Sequence, residues 1–203
     1  MIKNIIFDFG NVLGWTLADQ TVATYVEEEE ERKLIRKAVF DPKDWDCLNR
    51  GTLTDEEMFE KICNQLPEAL HQDACTVYDN WTNTATPVLG MSRLVRELKK
   101  EGYRIYLLSN ATKTFADRCR MIPWIDSVLS QFDGLVFSAL VGMAKPDREI
   151  YQYVLDTYSL RAEECLFVDD YQENIDGAKE IGILGYRFDG DAKKLKSFIF
   201  SEK

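Results

Sequence analysis

Polar side chains that could act together on one ligand follow four hydrophobic segments of the chain. Each segment has the length and β-prone composition of a buried strand. The residues that follow them are Asp8, Ser109 with Asn110, Lys145, and Asp169 with Asp170. In an open parallel sheet, ligands bind beyond the carboxyl ends of the strands. A nucleophilic carboxylate, a hydroxyl, an ammonium group and a pair of carboxylates together suit a phosphoryl group held by a divalent cation.

The carboxylates in this set imply a metal ion, because a carboxylate and a phosphate dianion repel each other unless a cation lies between them. Asp8, Asp169 and Asp170 offer only oxygen ligands, which Mg²⁺ prefers and which match zinc poorly. We therefore expect these aspartates to bind Mg²⁺. Lys145 would neutralise charge on the phosphoryl oxygens, and Ser109 would add a directional hydrogen bond.

Strands alternate with helices along most of the chain, which predicts how these residues are positioned. The predicted strands are Asn4–Phe9, Arg104–Leu108, Leu135–Phe137, Cys165–Val168 and Leu184–Phe188. The predicted helices between them are Met91–Lys100, Arg148–Thr157 and Asn174–Ile181. This alternation indicates an α/β fold with a Rossmann-like parallel sheet flanked by helices.

Residues 15–87 break this alternation, since they are too many for one crossover and their patterns are helical. Glu27–Val39 and Asp55–Leu66 are predicted helices, and the residues from Thr54 to Glu57 have the form of a capping box. We predict a helical cap at 15–87, inserted into a catalytic core formed by 1–14 plus 88–203.

Composition excludes several other classes of protein. The 203 residues are 45% hydrophobic and 30% charged, as in an ordinary folded globule. A net charge of −10 repels nucleic acid, and no apolar stretch is long enough to span a membrane. The five cysteines include no CxxC pair and His71 is the single histidine, so carboxylates must do most of the acid, base or metal work. We expect a cytoplasmic location and a small-molecule partner; a monomer and a homodimer both remain open.

The four segments resemble the ordered motifs of the haloacid dehalogenase superfamily over the whole chain. Within it, the chain is most similar to the phosphatases grouped with bacterial α-D-glucose-1-phosphate phosphatase and the N-terminal domain of soluble epoxide hydrolase. Phe7 to Val12 nearly reproduces their Phe-Asp-Leu-Gly-Asn-Val signature, and Asn49 to Glu56 resembles their cap. The other matching segments are Leu107 to Asn110, Gly142 to Pro146, and Phe167 to Asp170 with Asn174 and Gly177-Ala178.

This resemblance implies a phospho-aspartate mechanism with Asp8 as the nucleophile and a sheet of strand order 5-4-1-2-3. It further implies that Mg²⁺ is held by Asp8, the carbonyl of Gly10 and Asp170, with Asp169 as an additional or water-mediated ligand. Ser109, Asn110, Lys145 and Asn11 would bind the substrate, and Asn174 would orient the metal-binding loop.

Gly10 departs from the pattern of most phosphatases of the superfamily, which carry a general acid-base aspartate at this position. Such a group contributes about 10² to 10⁴ in rate. A good leaving group, such as the anomeric oxygen of a sugar phosphate, would reduce the need for it, and a carboxylate or water brought in by the cap could replace it. Two alternatives stay open: a metal-free dehalogenase, which Asp169 and Asp170 argue against, and a non-catalytic phosphate-binding sensor, which would have no need of Asp8.

Substrate specificity is expected to come from the cap, because the residues at the strand ends contact only the phosphoryl group. Trp45, Asn49 and Arg50 are the candidates. Trp45 could stack on a ring, and Arg50 could bind a second anionic group or hydroxyls. Both side chains could equally pack within the cap.

Overall fold

The computed structural model describes residues 1–202, a chain of strands and helices in which five α-helices follow one another between Ala18 and Asn80. The strands are β1 (Asn4–Phe7), β2 (Gly14–Trp15), β3 (Thr86–Pro87), β4 (Arg104–Ser109), β5 (Gly134–Phe137), β6 (Cys165–Asp169) and β7 (Leu184–Arg187). The helices are α1 (Ala18–Tyr25), α2 (Glu29–Val39), α3 (Pro42–Asn49), α4 (Asp55–Gln65), α5 (His71–Asn80), α6 (Met91–Lys100), α7 (Lys113–Arg118), α8 (Pro123–Leu129), α9 (Ser138–Val141), α10 (Arg148–Thr157), α11 (Gln172–Glu180) and α12 (Ala192–Ser201). Four short 3₁₀ helices cover Glu68–Leu70, Trp81–Thr84, Cys119–Met121 and Ala162–Glu164.

Five parallel strands form the main sheet in the order β5-β4-β1-β6-β7. If the five strands of this sheet are numbered by themselves in chain order, their order across the sheet is 3-2-1-4-5. Read from the other edge, this is the predicted order 5-4-1-2-3. β1 is the central strand, because Ile5 pairs with Ile105 on one side and Leu166 on the other.

Alternating side chains of the strands pack against helices on the two faces of the sheet. In β4, Ile105 and Leu107 contact the cluster that includes α6 and α12, whereas Tyr106 and Leu108 contact the cluster that includes α10 and α11. This alternation is the period-2 geometry of a strand. Burial on both faces explains why the inner strands β1, β4 and β6 are hydrophobic along most of their length.

The helical segment leaves and rejoins the core through a short antiparallel ribbon. Gly14 of β2 pairs with Pro87 of β3, and α1 to α5 lie between these strands. The domain boundaries at 14/15 and 87/88 stay a prediction. We call α1 to α5 with their connections the helical insertion. Its helices bury a hydrophobic cluster of their own, which includes Ile35, Met58 and Val77.

Local signals in the sequence determine where helices of the insertion begin. The Thr54 hydroxyl accepts from the Glu57 amide, and the Glu57 carboxylate accepts from the Thr54 amide, as the capping box predicts. The Asp41 carboxylate caps α3 in the same manner, with Pro42 in its first turn. In the part of the chain that the structure describes, no helix has the length and apolar character needed to cross a membrane.

Candidate active site

Asp8 lies at the carboxyl end of the central strand, where the chain turns sharply. Its amide extends the ladder by donating to the Val168 carbonyl at 2.9 Å. The turn then closes because the Phe9 carbonyl accepts amides from Val12, Leu13 and Gly14, which ends β1 two residues earlier than predicted. The Asp8 carboxylate therefore emerges at the edge of the sheet where parallel α/β proteins bind ligands.

Lys145 brings its ammonium group to this edge from the loop between α9 and α10. Its Nζ lies 2.8 Å from Oδ1 of Asp8 and 2.6 Å from Oδ2 of Asp169, and only 3% of the residue is exposed. The Phe167 ring centroid lies 5.3 Å from the same nitrogen. Burial opposes the charge, but Asp8 and Asp169 outweigh it and raise the pKa of Lys145. Lys145 is therefore a fixed cation between two carboxylates.

Asp169 and Asp170 are adjacent in the chain but have different surroundings. Asp169 is fully buried and accepts from Lys145, from the Tyr171 amide at 2.8 Å and from Nδ2 of Asn174 at 3.1 Å. Protein donors thus occupy both of its oxygens, which favours the water-mediated role over direct ligation. Asp170 is half-buried and accepts from Asn11 at 3.0 Å.

The three carboxylates form a cluster suited to a divalent cation. Asp8, Asp169 and Asp170 each offer one oxygen within 4.8 Å of the others. Burial, reinforced by Asp169 and partly offset by Lys145, raises the pKa of Asp8 to about 7. Burial also raises the pKa of Asp170, against the hydrogen bond from Asn11. A carboxylate whose ionised form is disfavoured by burial and by neighbouring negative charge is stabilised by a bound cation.

The residues predicted to bind the phosphoryl group at the end of β4 have different contacts. Ser109 is buried, and its hydroxyl makes no hydrogen bond within residues 1–202, so it is free to donate to a ligand. The Asn110 side chain instead bonds the backbone of Lys145, donating to its carbonyl and accepting from its amide, both at 2.9 Å. Asn110 therefore fixes the loop that carries Lys145.

The insertion places Trp45 and Arg50 over this edge of the sheet. Both line a cavity of about 450 Å³ that contains Asp8, Asn11, Lys145 and Asp170. The Arg50 guanidinium bonds Asp46 at 3.1 Å and Asp147 of the core at 2.5 Å. Its charge is therefore already paired, and its contact with substrate stays a prediction. Trp45 donates from Nε1 to the Val39 carbonyl at 2.7 Å, which fixes the orientation of its ring.

A second cavity of about 160 Å³ adjoins the first and was not predicted from the sequence. It is lined by Phe9, Gly10, Thr16, Trp45, Asn49, Trp81, Ser109, Asn110, Ala111, Thr112 and Phe115. Four of these residues line both cavities: Gly10, Trp45, Asn49 and Asn110. The space around the carboxylates therefore continues into an aromatic compartment under the insertion.

Ser138 is a further residue of the site that could not be predicted from the sequence. It is fully buried; its hydroxyl accepts from the Ala111 amide at 2.9 Å and donates to the Asn49 carbonyl at 2.5 Å. It thus joins the loop after β4 to the insertion. No motif contains it, and a serine after a predicted strand is too common to indicate this role.

Comparison with known proteins identifies the family. Residues 2–182 match the haloacid dehalogenase-like hydrolase family. A sesquiterpene phosphatase of Aspergillus oryzae is 30% identical over 90% of this chain and 88% of its own length. A D-ribitol-5-phosphate phosphatase of Bacteroides thetaiotaomicron is 28% identical over 90% of this chain and 89% of its own.

The fold also matches solved structures of this family. A HAD family enzyme of Bacteroides thetaiotaomicron, solved with magnesium and inorganic phosphate, superposes with a TM-score of 0.71 at 22% identity and covers 96% of this chain and 99% of that one. The chain therefore belongs to the haloacid dehalogenase-like hydrolase family, as its motifs predicted, and it is a hydrolase.

Proposed function

We propose that this protein is a Mg²⁺-dependent phosphatase that hydrolyses a small phosphate ester through a phospho-aspartate at Asp8. One observation carries the proposal: a buried lysine bridges Asp8 and Asp169 at the carboxyl ends of β1 and β6, with Asp170 beside them. The phosphatase activity of the two relatives named above supports the same reaction class.

The residues present fit magnesium. Three carboxylates face a single ammonium group, so the fully ionised cluster carries excess negative charge that a divalent cation would balance. Asp8, Asp170 and the Gly10 carbonyl would hold the ion, and Asp169 would act through a water molecule. When bound, magnesium supplies the positive charge that lets a phosphate dianion approach a carboxylate.

The side chains of the site have distinct roles in the proposed reaction. A carboxylate oxygen of Asp8 attacks phosphorus, the P–O bond to the alcohol breaks, and its electron pair leaves with the alcohol oxygen. Water then attacks the phosphorus and the bond from phosphorus to the Asp8 oxygen breaks, which releases inorganic phosphate and restores the Asp8 carboxylate. The proton that this water loses balances the proton that the departing alcohol oxygen takes from solvent. Lys145 and the free Ser109 hydroxyl bind the phosphoryl oxygens, on which negative charge accumulates in the transition state.

Gly10 is the observation that favours the two alternatives. A metal-free dehalogenase also lacks an acid at this position, but Asp8, Asp169 and Asp170 together would then leave uncompensated charge beside the nucleophile. A phosphate-binding sensor would tolerate Gly10 but gains nothing from a carboxylate at Asp8.

Phosphate release tests the proposal directly. We would measure it from 4-nitrophenyl phosphate and α-D-glucose 1-phosphate, with Mg²⁺ and with chelator, for the natural protein and Asp8→Asn. The matched control is Asp79→Asn, because Asp79 is an exposed carboxylate of α5 with no hydrogen bond in the described chain. We expect metal-dependent release that falls at least 10³-fold in Asp8→Asn and is unchanged in the control.

The other outcomes distinguish the alternatives. Halide release from 2-chloropropionate without metal would establish the dehalogenase. Binding of inorganic phosphate in the absence of any turnover, in folded protein, would indicate the sensor. Either result would overturn the proposed phosphatase.

A further inference from the structure

The smaller cavity described above is a compartment for the part of a substrate that lies beyond the phosphoryl group. It reaches the phosphoryl site at Gly10, Ser109 and Asn110, and the carboxylates lie on the far side of these residues. An ester bound with its phosphorus near Asp8 would extend its leaving group into this compartment.

Aromatic rings form a continuous row along the compartment, from the core into the insertion. The Phe9 and Phe115 ring centroids lie 4.9 Å apart, those of Phe115 and Trp81 lie 5.6 Å apart, and those of Trp81 and Trp45 lie 5.1 Å apart. All four rings line the compartment. Such surfaces bind planar, apolar groups through their faces and edges.

The size of the compartment matches one ring. Its volume is about 160 Å³. An apolar cavity of about 150 Å³ in a protein interior accommodates benzene. A longer chain or a fused ring system would have to extend into the larger cavity.

None of the eleven lining residues is ionisable. Because Gly10 has no side chain and the other ten side chains are not ionisable, no side chain that lines this compartment can protonate a departing oxygen. A phenol has a pKa of about 10, near that of tyrosine, and departs as an anion far more readily than an alkanol does. The absence of a proton donor therefore favours the same class of leaving group as the aromatic walls.

A second anionic group on the substrate is disfavoured in the larger cavity. Arg50 is paired with Asp46 and Asp147, and Lys145 is paired with Asp8 and Asp169. The remaining charged residues that line this cavity, Asp170 and Glu173, are acidic. The non-phosphoryl part of the substrate is therefore expected to be uncharged.

We propose that the substrate is an aryl phosphate, a monoester of an uncharged phenol whose ring occupies the aromatic compartment. This inference rests on the phosphatase function proposed above and specifies its substrate class. It differs from the sugar-phosphate hypothesis drawn from the sequence. A sugar phosphate also has a good leaving group, but its ring is polar.

The test compares four esters with Mg²⁺: phenyl phosphate, benzyl phosphate, α-D-glucose 1-phosphate and glycerol 3-phosphate. Benzyl phosphate keeps the ring but has an alkyl oxygen. We expect it to have a KM within threefold of that of phenyl phosphate and a kcat at least tenfold lower. The glucose and glycerol esters should have KM values at least tenfold higher than that of phenyl phosphate.

Two tryptophan variants test the compartment itself. Trp81→Leu should raise the KM for phenyl phosphate about tenfold and leave the inhibition constant of inorganic phosphate unchanged, because phosphate binds outside the compartment. Trp124→Leu is the matched control, since Trp124 is equally half-buried and stacks on Phe9 at 6.0 Å but does not line the compartment. Trp45→Leu provides a second variant should Trp81→Leu fail to fold.

The results separate this inference from the proposed function. Metal-dependent release with a higher kcat/KM for glucose 1-phosphate or glycerol 3-phosphate would leave the phosphatase standing and overturn the aryl substrate. If Trp81→Leu and Trp45→Leu changed the KM no more than Trp124→Leu does, the phosphatase would likewise stand and the aryl substrate would be overturned. Absence of phosphate release from every ester would overturn the proposed function and this inference with it.

Discussion

The properties of Asp8 depend on the residues around it. Burial and the Asp169 charge make the ionised form of Asp8 costly, and Lys145 offsets only part of that cost. Gly10 leaves open space beside the Asp8 carboxylate. These features lead to two predictions at the scale of single residues.

The metal-free protein should become more stable when Asp8 is replaced by Asn. The folded-state pKa of Asp8, about 7, lies above its ordinary value of 3.8, so ionisation costs folding free energy that grows as pH rises from 3.8 through about 7. With chelator present, Asp8→Asn should raise Tm by several degrees at pH 8 and by much less at pH 5. Thermal unfolding at both pH values measures this, and Asp79→Asn should show no such difference. A stabilisation that is larger at pH 5 would contradict the assigned direction.

Gly10→Asp should increase the turnover of poor leaving groups. A Cβ at this position would meet only Oδ2 of Asp8, at 3.8 Å, which is an ordinary van der Waals contact. A correctly placed acid contributes about 10² to 10⁴ in rate, and we expect at least a tenfold rise in kcat for benzyl phosphate. Gly10→Asn is the matched control because it has the same size and no titratable proton. An equal gain in the Asn variant would rule out acid catalysis as the cause.

Short local signals position the elements that carry the site. The helix α4 begins at a capping box, and its Asp55 accepts hydrogen bonds at 2.5 Å from Tyr78 of α5 and from Thr114 of α7 in the core. The start of α4 therefore connects the helical insertion to the core. Correct capping contributes to the stability of that junction.

Thr54→Ala should destabilise the protein by about 1 kcal/mol, the usual cost of losing a threonine cap, or about 2 to 4 °C in Tm for a chain of this size. The Glu57 amide would lose its acceptor. Thr76→Ala is the control, because the Thr76 hydroxyl bonds only the Gln72 carbonyl within α5. Urea or thermal unfolding compares the two variants. An equal loss in both would show that the cap is not the cause.

At the scale of the whole molecule, the site joins segments that are far apart in the chain. Asp8 follows the first strand of the sheet and Asp170 follows the fourth, so a cation between them would link two segments that are far apart in the sequence. Magnesium binding should therefore stabilise the entire fold.

Saturating Mg²⁺ should raise Tm by about 5 to 10 °C, since a ligand at a hundred times its Kd contributes about 2.7 kcal/mol. The rise should be much smaller in Asp170→Asn and undiminished in Asp79→Asn. Thermal unfolding with Mg²⁺ and with chelator measures both. A full rise in Asp170→Asn would show that the ion binds elsewhere.

Local patterns in the sequence predicted the sheet and the family, and they grouped the candidate residues of the phosphoryl site, whose roles stay predictions. Strand hydrophobicity and helix periodicity are local properties, and the carboxyl ends of parallel strands meet at one edge, so Asp8, Lys145, Asp169 and Asp170 could be grouped before their distances were known. The helices Met91–Lys100 and Arg148–Thr157 were predicted to the residue.

Contacts between segments that are distant in the chain complete the candidate site, and these contacts exist only in the folded protein. Arg50 pairs with Asp147, 97 positions away, Asn110 holds the Lys145 loop, 35 positions away, and Ser138 bonds Asn49, 89 positions away. No local pattern encodes contacts over such separations. The aromatic compartment likewise combines Phe9 and Phe115 of the core with Trp45 and Trp81 of the insertion. Its shape depends on how the insertion packs on the sheet, because packing is a property of the folded chain and not of any single segment.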